Sequence, residues 1–199
     1  MDNKDVLNSI KSPEELLEFM SSNICYGYLG KSGRVYRFDD LDFDEKWYDE
    51  YVLESAEQLL KTLCGNCWDQ VELERYWFEK NGYEIKSIYE MVKLDYDNIY
   101  PTHSFLIFKD KDSKWCWFEN SDSQNYGIHK FNSVDELLEC QYNKYLEFLK
   151  TFNISDDEIN KIIMTEFNAP KENCSARDYI SFVINSKKIF DKDFSRKKK

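Results

Sequence analysis

From Cys67 to Lys80 the chain reads Cys-Trp-Asp-Gln-Val-Glu-Leu-Glu-Arg-Tyr-Trp-Phe-Glu-Lys. At helical spacing, Trp68, Val71, Leu73, Tyr76, Trp77 and Phe78 occupy most of the circumference and leave few polar faces. A helix of that kind has to be central, covered by other elements on several sides. Gly65-Asn66 breaks the chain just before it, and Asn81-Gly82 ends it. Whatever this protein folds into is built around this segment.

The covering elements are readable on both sides. Ser12-Pro13-Glu14-Glu15 is a helix start, with a capping serine, proline at the first helical position and acids in the first turn. Leu16, Leu17, Phe19 and Met20 then supply an apolar face. Asn23 to Phe38 reads as a hairpin about Gly30-Lys-Ser-Gly33, and Asp39 to Glu50 as a loop with partial helix. Glu54 to Leu63 is a short helix with Ala56, Leu59, Leu60 and Leu63 on one side.

Downstream, Tyr83 to Val92 carries strand formers. Pro101–Phe108 and Lys114–Glu119 flank a short polar loop and predict an antiparallel hairpin, with a third strand at Gly127–Phe131. Ser133-Val-Asp-Glu136 and Ser155-Asp-Asp-Glu158 open helices, and Ser175–Ile189 reads as a last helix, so the part from about 133 to 190 is expected to be helical. The fold class expected is α+β: helices on a small antiparallel sheet, in a single domain over the 199 residues.

The net charge of −11 repels phosphate backbones and argues against nucleic acid. The basic run Arg196-Lys-Lys-Lys199 reads as a solvated terminus. No apolar stretch suits a signal peptide or a membrane crossing, so a cytoplasmic protein with reduced thiols is expected. Cys25, Cys64, Cys67, Cys116, Cys140 and Cys174 are then free thiols, several of them small core fillers.

Cys64-Gly-Asn-Cys67 is a C-x-x-C pair. A zinc site would need a second pair or closely spaced histidines, and His103 and His129 lie far apart in the chain. A thioredoxin-like pair follows a strand, whereas here a helix precedes. Two buried core cysteines remain open. So does a single nucleophile, Cys67, in the first turn of a helix, where unpaired amides and the helix dipole favour a thiolate and can face an oxyanion. Gly65 allows a sharp turn beside it.

A nucleophilic cysteine needs a base and an orienting group. His103 opens one strand of the hairpin and Glu119 closes the other. With the loop centred on Lys111, Phe108 pairs with Lys114 and His103 lies directly across from Glu119, within reach of it. A slip of one residue would turn Glu119 to the other face and bring Asn120 or Asp122 forward. Trp68, Asp69 and Gln70 are candidates for substrate contact; Asp69 and Gln70 could equally cap and stiffen the helix, and Trp68 could be core. Arg75 reads as the partner of Glu72, and His129 as a residue that could border the site.

This arrangement resembles the transglutaminase-like branch of the papain-type cysteine enzymes. Gly65-Asn-Cys67-Trp-Asp-Gln70 with Glu72-Leu-Glu-Arg75, Thr102-His103-Ser-Phe and Trp117-Phe-Glu119 carry the resemblance, over about residues 51–131. Papain itself fits less well: Lys61 stands where its oxyanion glutamine would be, and the histidine comes too early. The resemblance implies a Cys67–His103–Glu119 triad, a thioester intermediate on an amide, peptide or protein substrate, and no metal or organic cofactor. Hydrolysis is the expected outcome, with transfer to an amine possible within the family. The rivals are a catalytically silent binding module and a thiol oxidoreductase. Nothing in the sequence specifies the oligomeric state.

Overall fold

The computed structural model describes residues 3–92, 101–152 and 162–191. The chain is a mixed α+β structure with two antiparallel sheets. Helices α1 (Asn3–Ser9) and α2 (Pro13–Asn23) lead into β1 (Gly27–Gly30) and β2 (Val35–Arg37). Then come α3 (Phe43–Glu50), β3 (Tyr51–Val52), α4 (Ala56–Thr62) and α5 (Cys67–Lys80). Strands β4 (Ile85–Val92), β5 (His103–Lys109), β6 (Trp115–Glu119) and β7 (Gly127–Phe131) precede α6 (Val134–Leu149), β8 (Ile162–Phe167), α7 (Ala176–Ile184) and β9 (Lys187–Asp191). The small sheet runs β2-β1-β3 and the large one β7-β6-β5-β4-β8-β9. Among the described residues, no helix is long and apolar enough to cross a membrane.

Helix α5 starts and stops where its sequence predicts. Leu63 ends α4 in the left-handed region, at φ 50°, and Asn66 caps α5 with its side-chain oxygen on the Trp68 N–H, 2.9 Å. Asp69 returns the favour by accepting from the Asn66 N–H at 3.0 Å, which completes a capping box. One side of α5 packs with α2 and α4 on the sheet through Leu16, Met20, Leu59, Leu73, Phe78, Phe108 and Phe118. Near its start, Trp68 and Val71 join Tyr28, Tyr51, Tyr89 and Tyr179 in a second, largely aromatic cluster. The other face of the sheet is covered by α6, with Ile88, Phe105, Ile107 and Trp117 meeting Leu137, Tyr142 and Leu149.

Three sequence expectations need correction. The part after residue 133 is not uniformly helical: β8 inserts beside β4 in the sheet, and β9 pairs with β8 where the last helix was expected to continue. Ile162-Ile-Met-Thr-Glu-Phe167 is six residues long, four of them apolar, too short for periodicity to tell a strand from a buried helix. The sheet is therefore six-stranded rather than small. The β5–β6 register also differs. Phe108 pairs with Cys116, not Lys114, because Lys109 still pairs with Trp115 and the turn centres on Asp112. Asp110 organises that turn, accepting from the Asp112 and Lys114 amides at 2.9 Å each, while Ser113 takes φ 61°. The expected helix start at Ser155–Glu158 and the basic run at Arg196–Lys199 lie outside the described residues.

Candidate active site

The two-residue shift in register preserves which face each side chain takes, because side chains alternate with period two. Continued one step, the pairing sets Glu119 against Phe105, so His103 and Glu119 are diagonal neighbours rather than opposed ones. Their long side chains close the gap: His103 Nε2 and Glu119 Oε2 are 2.8 Å apart. Glu119 Oε1 accepts three further hydrogen bonds, from the Ser121 N–H at 2.9 Å, the Ser121 hydroxyl at 3.0 Å and the Asp122 N–H at 2.9 Å. Neither Asn120 nor Asp122 replaces Glu119 at the ring.

Cys67 meets His103 from the helix side. Cys67 is close enough to the His103 ring to raise its pKa, and with Nε2 engaged by Glu119 the nitrogen left for sulfur is Nδ1. Burial opposes a charge on the ring and is the largest single influence on it. The charge of Glu119 and the hydrogen bonds with Cys67 and Glu119 outweigh it, so His103 is held well above the ordinary histidine range. All three groups are sheltered: Cys67 is 6% exposed and Glu119 2%, while the His103 side chain is 15% exposed.

A fourth residue joins them that the sequence places only within the Asn23–Phe38 hairpin. The Tyr26 ring is 40% exposed and packs edge-on against Phe38. Its hydroxyl reaches inward to hydrogen-bond Cys67, and burial, then the charges of Cys67 and Asp69, push its pKa well up. Backbone pairing fixes Tyr26 there: the Cys25 N–H donates to Leu63 O at 2.9 Å and the Gly65 N–H to Cys25 O at 3.0 Å. Tyr26, Gln70, Asn120, Ser121 and Tyr126 line a cavity of 310 Å³, whose walls do not include Cys67, His103 or Glu119 themselves. Gln70 Nε2 donates to Gly65 O at 2.9 Å and Asn120 Nδ2 to Gln70 Oε1 at 2.7 Å, which ties the loop before Cys67 to the Glu119 end of β6.

Trp68 and Asp69, expected as substrate contacts, turn inward instead. The Trp68 indole stacks on Tyr179 with ring centres 4.3 Å apart. Asp69 Oδ1 accepts from the Tyr51 hydroxyl and the Glu54 N–H, both at 2.9 Å. Burial raises its pKa to about 7 against those hydrogen bonds. Of the three residues named for substrate contact, Gln70 alone faces the cavity. Arg75 pairs with Glu72 at 3.1 Å. His129 of β7 pairs with Trp117 of β6, and its Nε2 lies 2.7 Å from Asn125 O.

Cys64 faces the N-terminal hairpin, 3.9 Å from Tyr36 O and beside Cys25. Burial, then Cys25, pushes its thiol pKa far up. All six cysteines are free, and among the described residues no group of His, Cys, Asp and Glu is arranged to hold a metal. Compared with known proteins, the chain matches no family model and no curated protein.

Proposed function

We propose that the chain is a cysteine-dependent acyl-transfer enzyme acting on an amide or peptide bond through a thioester, with water as the acceptor. The observation that carries this is the continuous contact from the helix-initial Cys67 through His103 to Glu119, with 2.8 Å between the last two. Cys67 sulfur attacks the carbonyl carbon as a thiolate, its proton held on His103 Nδ1. The tetrahedral oxyanion is met by the Cys67 N–H, which the Asn66 cap leaves unused by taking the Trp68 N–H instead. His103 then gives its proton to the departing amine, leaving a thioester on Cys67. Water, deprotonated by His103, attacks the thioester carbonyl; the acid leaves and the thiol reforms. Glu119 keeps the ring oriented and supports its charge throughout. The order of nucleophile, base and acid along the chain is the one the transglutaminase-like resemblance implies.

The experiment is competitive alkylation by iodoacetamide at mildly acidic pH, read by peptide mass spectrometry. Cys67 is labelled first among the six thiols. His103→Ala slows its labelling at least about tenfold, corresponding to about 1.4 kcal/mol of lost thiolate stabilisation. Glu119→Gln slows it less, because the acid acts on the imidazole and not on sulfur. Equal labelling of all six cysteines, or a Cys67 rate indifferent to His103, would sink the catalytic reading in favour of a silent module.

A further inference from the structure

Behind His103, on the strand that pairs with β5 from the other side, stands a second carboxyl. Register sets Glu90 of β4 directly against His103 of β5, and Glu90 is fully buried. Gln141 of α6, also buried, donates Nε2 to Glu90 Oε1 at 2.9 Å. Two atoms of this pair are left without partners among the described residues: Glu90 Oε2, which is an acceptor if the acid is ionised, and Gln141 Oε1, which is always an acceptor. Two buried orphan acceptors on two side chains already joined by one hydrogen bond are a costly arrangement. One proton on Glu90 Oε2, donated to Gln141 Oε1, satisfies both at once.

We infer that Glu90 and Gln141 form a closed acid–amide pair, and that Glu90 is a positioning residue presenting an uncharged carboxyl to His103 while Glu119 presents the charged one. The surroundings favour the proton. Burial, the largest influence, raises the Glu90 pKa to about 8, with Glu119 and Asp122 adding to it and His103 and the Gln141 hydrogen bond working against it. Tyr145 of α6 feels the charge of Glu90, and the cross-strand neighbour in β8 is the uncharged Met164; Glu74 of α5, which acts on the same His103 and Glu119, is itself pushed well up by burial. The consequence for the base follows from electrostatics. A base that must also return its proton cannot be held as an imidazolium too firmly. One carboxylate supports the charge; a second, directly across the strand, would raise the ring's affinity for the proton further. The closed pair keeps that second charge off at neutral pH and releases it in alkali. The effect on catalysis rests on the function proposed above; the protonation of Glu90 does not.

The test is therefore an NMR titration of His103 in the intact protein, which needs no substrate. The chain has only two histidines, so the ring signals are separated with a His129→Gln reference. Wild-type His103 responds to a second ionisation in mild alkali. Glu90→Gln, which keeps both hydrogen bonds as an amide–amide pair, removes that step and lowers the His103 midpoint by about one pH unit. The wild-type Glu90 carboxyl carbon, followed by the same method, stays in its acid position through neutrality. A Glu90 carbon that titrates near the ordinary ~4.3, or a His103 titration unchanged in Glu90→Gln, overturns the proposal whatever Cys67 alkylation shows. Failure of Cys67 to react, with the Glu90 step present, would instead count against the proposed function alone.

Discussion

Both oxygens of Glu119 are engaged, one by His103 and the other by three donors at the β6 exit. That leaves the carboxylate no freedom to swing away, so the ring's orientation is inherited from backbone amides rather than from a flexible side chain. Tyr26 acts from the opposite side, as a hydroxyl donor to the sulfur. Tyr26→Phe keeps the ring against Phe38 but removes the donor. A hydrogen bond to a charged group contributes about 1.5–3 kcal/mol. Alkylation of Cys67 at mildly acidic pH should therefore fall at least about tenfold in this variant, with little change in alkali, where the thiolate forms without help. An equal fall at every pH would mean that Tyr26 acts by shaping the loop and not by donating to sulfur. The meeting of Cys67, His103 and Glu119 is legible in the sequence because each sits at the end of an element, where type and position are readable together. Tyr26 is not: nothing in Cys25-Tyr-Gly27 announces that backbone bonds to Leu63 and Gly65 will bring it to Cys67. Glu90 leaves a faint signal, a charged residue in an otherwise core-forming strand, but its partner Gln141 lies 51 positions away.

At the scale of elements, the small sheet and the loop before Cys67 are joined where neither has room for another atom. A Cβ on Gly27 would lie 2.2 Å from Tyr36 O and 2.4 Å from Cys64 Sγ, so a backbone carbonyl and a fully buried thiol would both have to move. A Cβ on Gly65 would lie 2.7 Å from Leu59 Cδ1, which can rotate, and 2.8 Å from Asp69 Cβ, which the capping box holds. Overpacking costs about 1–3 kcal/mol and more where nothing yields. Gly27→Ala is expected at or above the top of that range and Gly65→Ala near its middle, read as shifts in urea midpoint. Gly65→Ala should also slow Cys67 alkylation, since it displaces the turn that starts α5; a destabilised variant with unchanged Cys67 reactivity would count against that coupling. The same scale shows why the elements themselves are unevenly legible. α5, α2 and β7 announce their bounds through caps and turns. β8 does not, because Ile162, Ile163 and Met164 run apolar without alternation, and its one charge, Glu166, is held by Lys86 and Lys187 of the two neighbouring strands. The β5–β6 register turned on a single residue: Asp110, whose carboxylate gathers two amides, begins the loop one position later than polarity alone suggests.

Over the whole molecule, an acidic chain buries an unusual set of its acids. Burial raises Glu54 to about 8 and Asp69 to about 7, and it lifts Glu72 and Glu74 as well as Glu90. An unfolded carboxyl releases its proton near ~4, so from there up to about pH 7–8 the folded chain holds protons that the unfolded chain has lost. Stability must then fall as pH rises through this window, by about 1.4 kcal/mol per pH unit for each such group. His103 has the same sign: its raised pKa gives stability that is complete below the unfolded value near ~6.5 and disappears as pH climbs through the folded value. Opposing this, the paired surface acids Asp42, Glu57, Asp110 and Glu166 have lowered pKa values, and their contribution is lost only as pH falls below the ordinary carboxylate range. The two groups place the optimum near about pH 5, well below neutrality. The melting temperature followed by circular dichroism should fall continuously between about pH 5.5 and 8.5, and the slope should lessen in Glu54→Gln, which cannot ionise. A melting temperature that is level or rising over that range would mean that the buried carboxyls find compensation as anions, and the neutral interior inferred for this fold would have to be abandoned.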